Sequence, residues 1–174
     1  MKPTIQIRRA ELADLEAITA IYNEAIANTT ATFDTEPKTA EEQLRWFQEH
    51  DERPPILVAI LDGEVVGWAS LSKWSGRCAY ADTAETSFYV KAGYRGQGIG
   101  RQLKHALIEE ARRLRFHALI ARVAEGSEES LHLNESLGFV RVGDAQGSGP
   151  QVWQVVGCAS PAKDVGLRNS LART

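Results

Sequence analysis

Cysteine is nearly absent from this chain, and no stretch of it stays apolar for long. Cys78 and Cys158 are the two cysteines among 174 residues. They are too few for a disulfide framework, so a reducing cytoplasm is the expected compartment. No apolar run approaches the roughly 20 residues that cross a bilayer, and the first residues do not read as a signal peptide. A membrane is therefore not an expected partner. An excess of positive charge is missing too, since 20 Lys and Arg face 23 Asp and Glu for a formal net charge of −3. With no basic stripe, nucleic acid is not expected either. His50, His105, His117 and His132 are scattered without the spacing of zinc ligands, so no metal is expected. Repeats and low-complexity segments are also lacking. What remains is one soluble domain, whose 43% hydrophobic residues suffice for a substantial core.

Taken in order, residues 4–9 alternate around Ile5 and Ile7 as a first strand. Glu11 to Ala27 places Leu12, Leu15, Ile18, Tyr22, Ala25 and Ile26 on one helical face. A polar loop from Asn28 to Lys38 holds one aromatic, Phe33. Thr39 with Glu42 three residues on predicts a capping box and a helix ending near His50. Ile56–Leu61 and Glu64–Ser72 read as strands joined by Asp62-Gly63, a two-residue hairpin signal. Further strands are predicted over Thr83–Val90 and Ala118–Val123, and around Val140–Val142 and Val152–Val156. Ser127 is a cap candidate for a helix running through Leu137, with Gly138 as its stop. The predicted fold is α+β, a mixed and mainly antiparallel sheet with helices on both faces. Residues 1–157 would form the domain; Asp144 to Pro150 reads as a flexible, glycine-rich link. Residues 158–174 lack periodicity and read as a C-terminal tail.

One stretch organises the rest. A β-branched and aromatic strand ending at Val90 leads into Arg95-Gly96-Gln97-Gly98-Ile99-Gly100-Arg101, and a helix follows with Leu103, Ala106, Leu107, Ala111 and Leu114 at three-and-four spacing. Glycines at a helix start leave backbone N–H groups open, and the helix dipole adds to their attraction for an anion such as a nucleotide phosphate. A P-loop would end in Gly-Lys-Ser/Thr, but Gly100 precedes Arg101 and Gln102. A dinucleotide fingerprint would carry glycine where Arg101 stands.

Arg95-x-x-Gly98-x-Gly100, placed after a strand containing Glu85, resembles the acetyl-CoA pyrophosphate loop of the GCN5-related N-acetyltransferase superfamily. Further matches follow in order: Thr29 to Phe33, Glu36-Pro37, Pro55-x-Leu57-Val58-Ala59, Gly67-Trp68-Ala69, Trp74-x-x-Arg77-x-Ala79-Tyr80, Glu85-x-x-x-Tyr89-Val90 and Leu137-Gly138-Phe139. Over roughly residues 4–143 the chain is similar to the branch containing phosphinothricin and methionine sulfoximine acetyltransferases. The resemblance implies a sheet splayed between its fourth and fifth strands, with pantetheine lying in the opening beside Phe88, Tyr89 and Val90. It implies acetyl-CoA as co-substrate, gripped by Arg95 to Arg101 and contacted by Ser127 and Ser130. It also implies an acceptor site near Phe33, Lys73, Trp74, Arg77 and Tyr80, and a homodimer.

The chemistry such an enzyme needs can be set against these residues. A primary amine with a pKa of about 10.4 arrives protonated and needs a base; Glu85 is the candidate. Arg77 has the fork geometry to grip a substrate carboxylate or phosphinate. The departing thiolate lacks an evident proton donor, because the family's His-Glu pair is replaced by Asn134-Glu135. His132 lies about 200° from Asn134 around a helix of 3.6 residues per turn and is no simple substitute. The family's lysine-bearing segment after the sixth strand survives here only at Trp153. The expected activity is acetylation of a small amino-acid-like amine by direct attack in a ternary complex. Another amine acceptor (a different amino acid, a polyamine or a protein N-terminus) and a non-catalytic acyl-CoA-binding module remain as alternatives. Phe33 itself reads either as a plug beneath its loop or as part of the acceptor pocket.

Overall fold

The computed structural model describes residues 4–50, 54–124, 127–145 and 151–157. The expected tail, 158–174, and the link at 146–150 lie outside the described residues. Strands are β1 (Gln6–Arg9), β2 (Ile56–Leu61), β3 (Glu64–Lys73), β4 (Thr83–Val90), β5 (Ala118–Ala124), β6 (Val140–Ala145) and β7 (Gln151–Gly157). Helices are α1 (Leu15–Asn28), α2 (Ala40–Glu49), α3 (Ile99–Arg113) and α4 (Glu128–Ser136).

Local signals explain most of these boundaries. Thr39 and Glu42 form the reciprocal capping box of α2, with Glu42 N–H donating to Thr39 Oγ1 and Thr39 N–H donating to Glu42 Oε2. Asp62 and Gly63 both have positive φ, +50° and +82°, the backbone of a type I′ hairpin turn. Gly138, at φ +92°, ends α4. Two expectations shift. Leu12 is not on the buried stripe of α1 but exposed in a short 3-10 turn, because Asp14 folds back to accept from Glu11 N–H and from Arg8. Asp144 and Ala145, expected in a flexible link, belong to β6.

The sheet order is β1-β2-β3-β4-β5-β7-β6. All neighbours are antiparallel except β4 and β5, which are parallel. This α+β arrangement places two cores on opposite faces. On one, Leu103, Leu107, Ile108 and Ala111 of α3 pack with Leu57, Ala69, Leu71, Leu119 and Phe139. On the other, Ile18 and Ile21 of α1 meet Ile56, Val58 and Trp68, with Trp46 and Phe47 of α2 beside them. Side-chain alternation along β4 decides which residues see which core: Thr86, Phe88 and Val90 face α3, while Glu85, Ser87 and Tyr89 face α1.

Candidate active site

The ladder between β4 and β5 ends early. Thr83, Ala84 and Glu85 pair with Ala118, Leu119 and Ile120, and Thr86 Oγ1 donates to Ile120 O at 3.2 Å. Beyond that point β4 continues to Val90 and β5 to Ala124 without pairing to each other. The opening holds a cavity of about 1180 Å³, which is the splay between the fourth and fifth strands.

The backbone of β4 offers donors to this opening. Thr83 O accepts from Trp74 N–H and Lys91 N–H donates to Val66 O, so odd-numbered residues of β4 spend their backbone groups on β3. The N–H groups of Phe88 and Val90 consequently face the gap, where an extended ligand can add as a strand would. At the far end of the gap sits the start of α3. Its first helical bond runs from Gln102 N–H to Gly98 O (3.1 Å), which leaves the amides of Ile99, Gly100 and Arg101 without helical acceptors. Gly98 reaches this geometry at φ +80°, where a side chain would be strained. Arg95 Nε donates to Val90 O at 3.0 Å, fixing the guanidinium at the mouth. Arg95, Gly96, Gly98, Ile99, Gly100 and Arg101 all line the cavity; Gln97 does not, its amide turning back to Gly93 O. Unpaired amides, a cationic side chain and an elongated opening fit a phosphate-bearing ligand the length of acetyl-CoA.

From the opposite wall, α4 contributes Ser127 and Ser130. Ser127 occupies the cap position, yet its side chain makes no capping bond, so its hydroxyl is not spent on the helix. Asn134 is 1% exposed, and neither its Oδ1 nor its Nδ2 has a hydrogen-bond partner. His132 reaches the same cavity only at its exposed rim.

Glu85 lies where the two strands part. Arg122 of β5 holds its carboxylate through two bonds, Nε to Oε1 at 2.5 Å and Nη2 to Oε2 at 2.9 Å. The pair is lopsided in exposure, with the Glu85 side chain 16% accessible and that of Arg122 38%. Two lone-pair sites remain on the carboxylate for an amine or a water. Arg122 went unnoticed in sequence, although it shares Glu85's face by strand alternation.

The acceptor side is built by the loop after α1. Tyr22 Oη donates to Asp34 Oδ2 at 2.5 Å and lies 2.9 Å from Thr32 Oγ1, pinning the loop against β4. Its ring packs edge-on against Trp68 and Tyr89. Burial pushes both phenols, Tyr22 and Tyr89, above their ordinary range. Phe33 lines the large cavity and is 43% exposed, so it is part of the pocket wall and not a core plug. A second cavity of about 340 Å³ adjoins, sharing Tyr22, Asp34, Ser87 and Tyr89 and extending to Gln43, Ser70 and Trp68. Lys73, Trp74, Arg77 and Tyr80 line neither cavity. The last β3–β4 pair is Lys73 with Ala84, and the loop leaves the sheet there, with Lys73, Arg77 and Tyr80 exposed.

A second residue was missed. Lys104 of α3 is 1% exposed, lines the large cavity and forms no hydrogen bond or ion pair among the described residues. Its Nζ sits 5.2 Å from the Phe88 ring centre and 4.4 Å from that of Phe139. Burial alone drives its pKa down to about 7. The signal was readable: Lys104 falls four residues after Gly100 and four before Ile108, on the buried stripe of the helix. Among the described residues, no group of three or more His, Cys, Asp or Glu is placed to hold a metal ion, and no helix is long and apolar enough to cross a membrane.

Comparison with known proteins agrees with this architecture. The chain is 40% identical over 153 residues to the L-methionine sulfoximine/L-methionine sulfone acetyltransferase of Pseudomonas aeruginosa, covering 87% of each chain. Among solved structures, an N-acetyltransferase from Staphylococcus aureus superposes with a TM-score of 0.86 at 34% identity, covering 90% of this chain and 99% of the other. A phosphinothricin acetyltransferase from Sinorhizobium meliloti, solved in complex with AcCoA, gives a TM-score of 0.82 at 30% identity over the whole of both chains. Residues 18–139, which contain the splayed strands, the glycine turn and α4, match the acetyltransferase (GNAT) family, and the chain belongs to that family.

Proposed function

We propose that this protein is an acetyl-CoA-dependent N-acetyltransferase acting on the primary amine of a small amino-acid-like substrate of the phosphinothricin, methionine sulfoximine or methionine sulfone type. The observation that carries the reading is the parting of β4 from β5 just past Glu85, which sets a carboxylate at the inner end of a cleft whose mouth is an anion-binding helix start. The relatives' activities and the cofactor of the Sinorhizobium structure support the same assignment.

When bound, acetyl-CoA supplies an activated acetyl thioester. The amides of Ile99, Gly100 and Arg101, with Arg95, would hold its pyrophosphate, and the Phe88 and Val90 N–H groups would hold the pantetheine arm. Ser127 and Ser130 close that arm from α4. Glu85 takes the proton of the incoming ammonium, directly or through water, while Arg122 fixes the carboxylate's orientation. The smaller cavity, with Ser70, Ser87 and Gln43 on its wall, suits the polar side chain of an amino acid. We assign the working form as a cytoplasmic homodimer, supported by the exposed valines Val140 and Val142 on the edge strand β6. Incubating the protein with acetyl-CoA and methionine sulfoximine should release free CoA and yield the N-acetyl product by mass spectrometry. Tight CoA binding with no release across a panel of amino acids and polyamines would refute the enzymatic reading.

A further inference from the structure

The proposed transfer leaves a thiolate that needs a proton, and Asn134 has no titratable group to give one. Among the described residues of the cavity wall, the other candidates are engaged or remote. Tyr94 donates to Glu64 Oε2, Tyr22 donates to Asp34, Tyr89 points to the α1 face and packs on Tyr22, and His132 is exposed at the rim. Glu85 is committed to the amine and lies on the α1 face of the sheet.

Resting on that reading, we infer that Lys104 is the proton donor to the departing sulfur, working from the α3 face of the cleft opposite Glu85. Four observations converge on it. Its side chain is almost wholly enclosed yet reaches the cavity. Its Nζ has aromatic faces and no hydrogen-bond acceptor around it. Asn134 of α4, which lines the same cavity, also presents buried polar atoms with no partner in the protein. The end of α4 ties these two together: Phe139, whose ring carries the Lys104 Nζ, donates its N–H to Asn134 O at 3.1 Å. Buried polar groups are ordinarily paired, so an unpaired amide on α4 and a lysine on α3 without an ionic partner, both lining one ligand cavity, point to a polar atom of the ligand.

The step balances. As the C–S bond of the tetrahedral adduct breaks, its electron pair goes to sulfur, the oxyanion re-forms the carbonyl, and the attacking nitrogen loses its second proton to water on the Glu85 side. Lys104 transfers one N–H proton to that sulfur, giving a thiol and a neutral amine. Lys104 regains a proton from solvent when the cleft empties. An ammonium with a pKa of about 7 is a competent acid toward a thiol of about 8.5, so the transfer is downhill. Phe88 and Phe139 surround the Lys104 Nζ, and Thr86, Ala121, Val123 and Asn134 of the same cavity wall are uncharged. The charged wall residues Arg95, Arg101, Glu128 and Glu129 are exposed, Asp34 is held by Tyr22, and Glu85 and Arg122 pair on the other face.

The test uses the full chain and its Lys104→Met variant, which replaces a buried cation by an apolar side chain of similar length and should fold; Lys104→Gln is the second variant. The first readout needs no turnover. A neutral Lys104 amine still donates an N–H to a thiolate where methionine cannot, so the thiol of bound CoA, followed by the ultraviolet absorbance of its thiolate, should titrate at lower pH in the wild type than in Lys104→Met. Identical titrations overturn the inference. Where wild type turns over, both variants should lose about tenfold to a hundredfold in kcat, keep the KM for acetyl-CoA within about threefold, and lose the alkaline fall of the kcat profile. A kcat within about twofold of wild type also overturns it. A shifted thiol titration without acetylation of any amine would sink the proposed function and leave Lys104 beside the sulfur. Failure to bind CoA would sink both.

Discussion

On the wall of the cleft shared with α1, the Glu85 carboxylate is gripped by two guanidinium N–H groups and remains open to water. On the wall shared with α3, the Lys104 ammonium rests on two phenyl rings, enclosed and without an ionic partner among the described residues. The difference is one of solvation. The carboxylate keeps lone pairs beyond the guanidinium that can accept a proton from a ligand. An unpaired ammonium in an apolar wall is biased toward losing one. In the proposed mechanism, a sheet that splits between these walls sets Glu85 and Lys104 on opposite sides of one ligand.

The largest effect should come from the paired side. Glu85→Gln keeps a carbonyl for Arg122 but removes the proton acceptor, and kcat should fall by about 10²–10⁴-fold with little change in the KM for acetyl-CoA. Steady-state kinetics at neutral pH check this, and unchanged turnover would leave the α1 wall without a base.

Next comes stability on the unpaired side. The Lys104 pKa is about 7 in the folded chain and about 10.4 when unfolded. Between those values the unfolded chain holds the extra proton, so stability should rise with pH through this window. Below about 7 both states are protonated and the full cost of burying the ammonium is felt. Lys104→Met should remove this dependence and stabilise the protein at about pH 6 by on the order of a few kcal/mol, with a much smaller gain near pH 10. Urea melts at the two pH values measure it. An equal effect at both would mean that the ammonium is better solvated than its burial indicates.

The smallest effect tests whether the walls act independently. Tyr22→Phe deletes the bonds to Asp34 and Thr32 that pin the Phe33 loop, costing about 1 kcal/mol. The KM for the amine should rise a few-fold while that for acetyl-CoA stays constant. An equal rise in both would show that the loop also shapes the α3 side.

Legibility varied with how local each cause was. The capping box at Thr39, the Asp62-Gly63 hairpin and the amphipathic stripe of α3 are all settled by neighbours a few residues apart, and all could be read directly. Glu85 and the glycine turn were legible because strand alternation and helix-start geometry are also local. The loop from Lys73 to Tyr80 shows the reach of motif matching, which places residue types without saying where a loop leaves the sheet. Helical spacing marks Lys104 as buried and strand alternation marks the face of Arg122, but the partners that give each its meaning lie far along the chain: Glu85 for Arg122, and Phe88 and Phe139 for Lys104.

The sequence by itself determined the order of strands and helices, the α+β class and the glycine turn that starts α3. Periodicity, caps and turn chemistry act over a single element and leave their mark there. Only the tertiary structure decided that β4 and β5 part beyond Glu85, that Arg122 closes on that carboxylate, and that a lysine of α3 is enclosed between two aromatic rings. Those outcomes depend on which distant surfaces exclude water from one another, and desolvation is a property of the assembled fold.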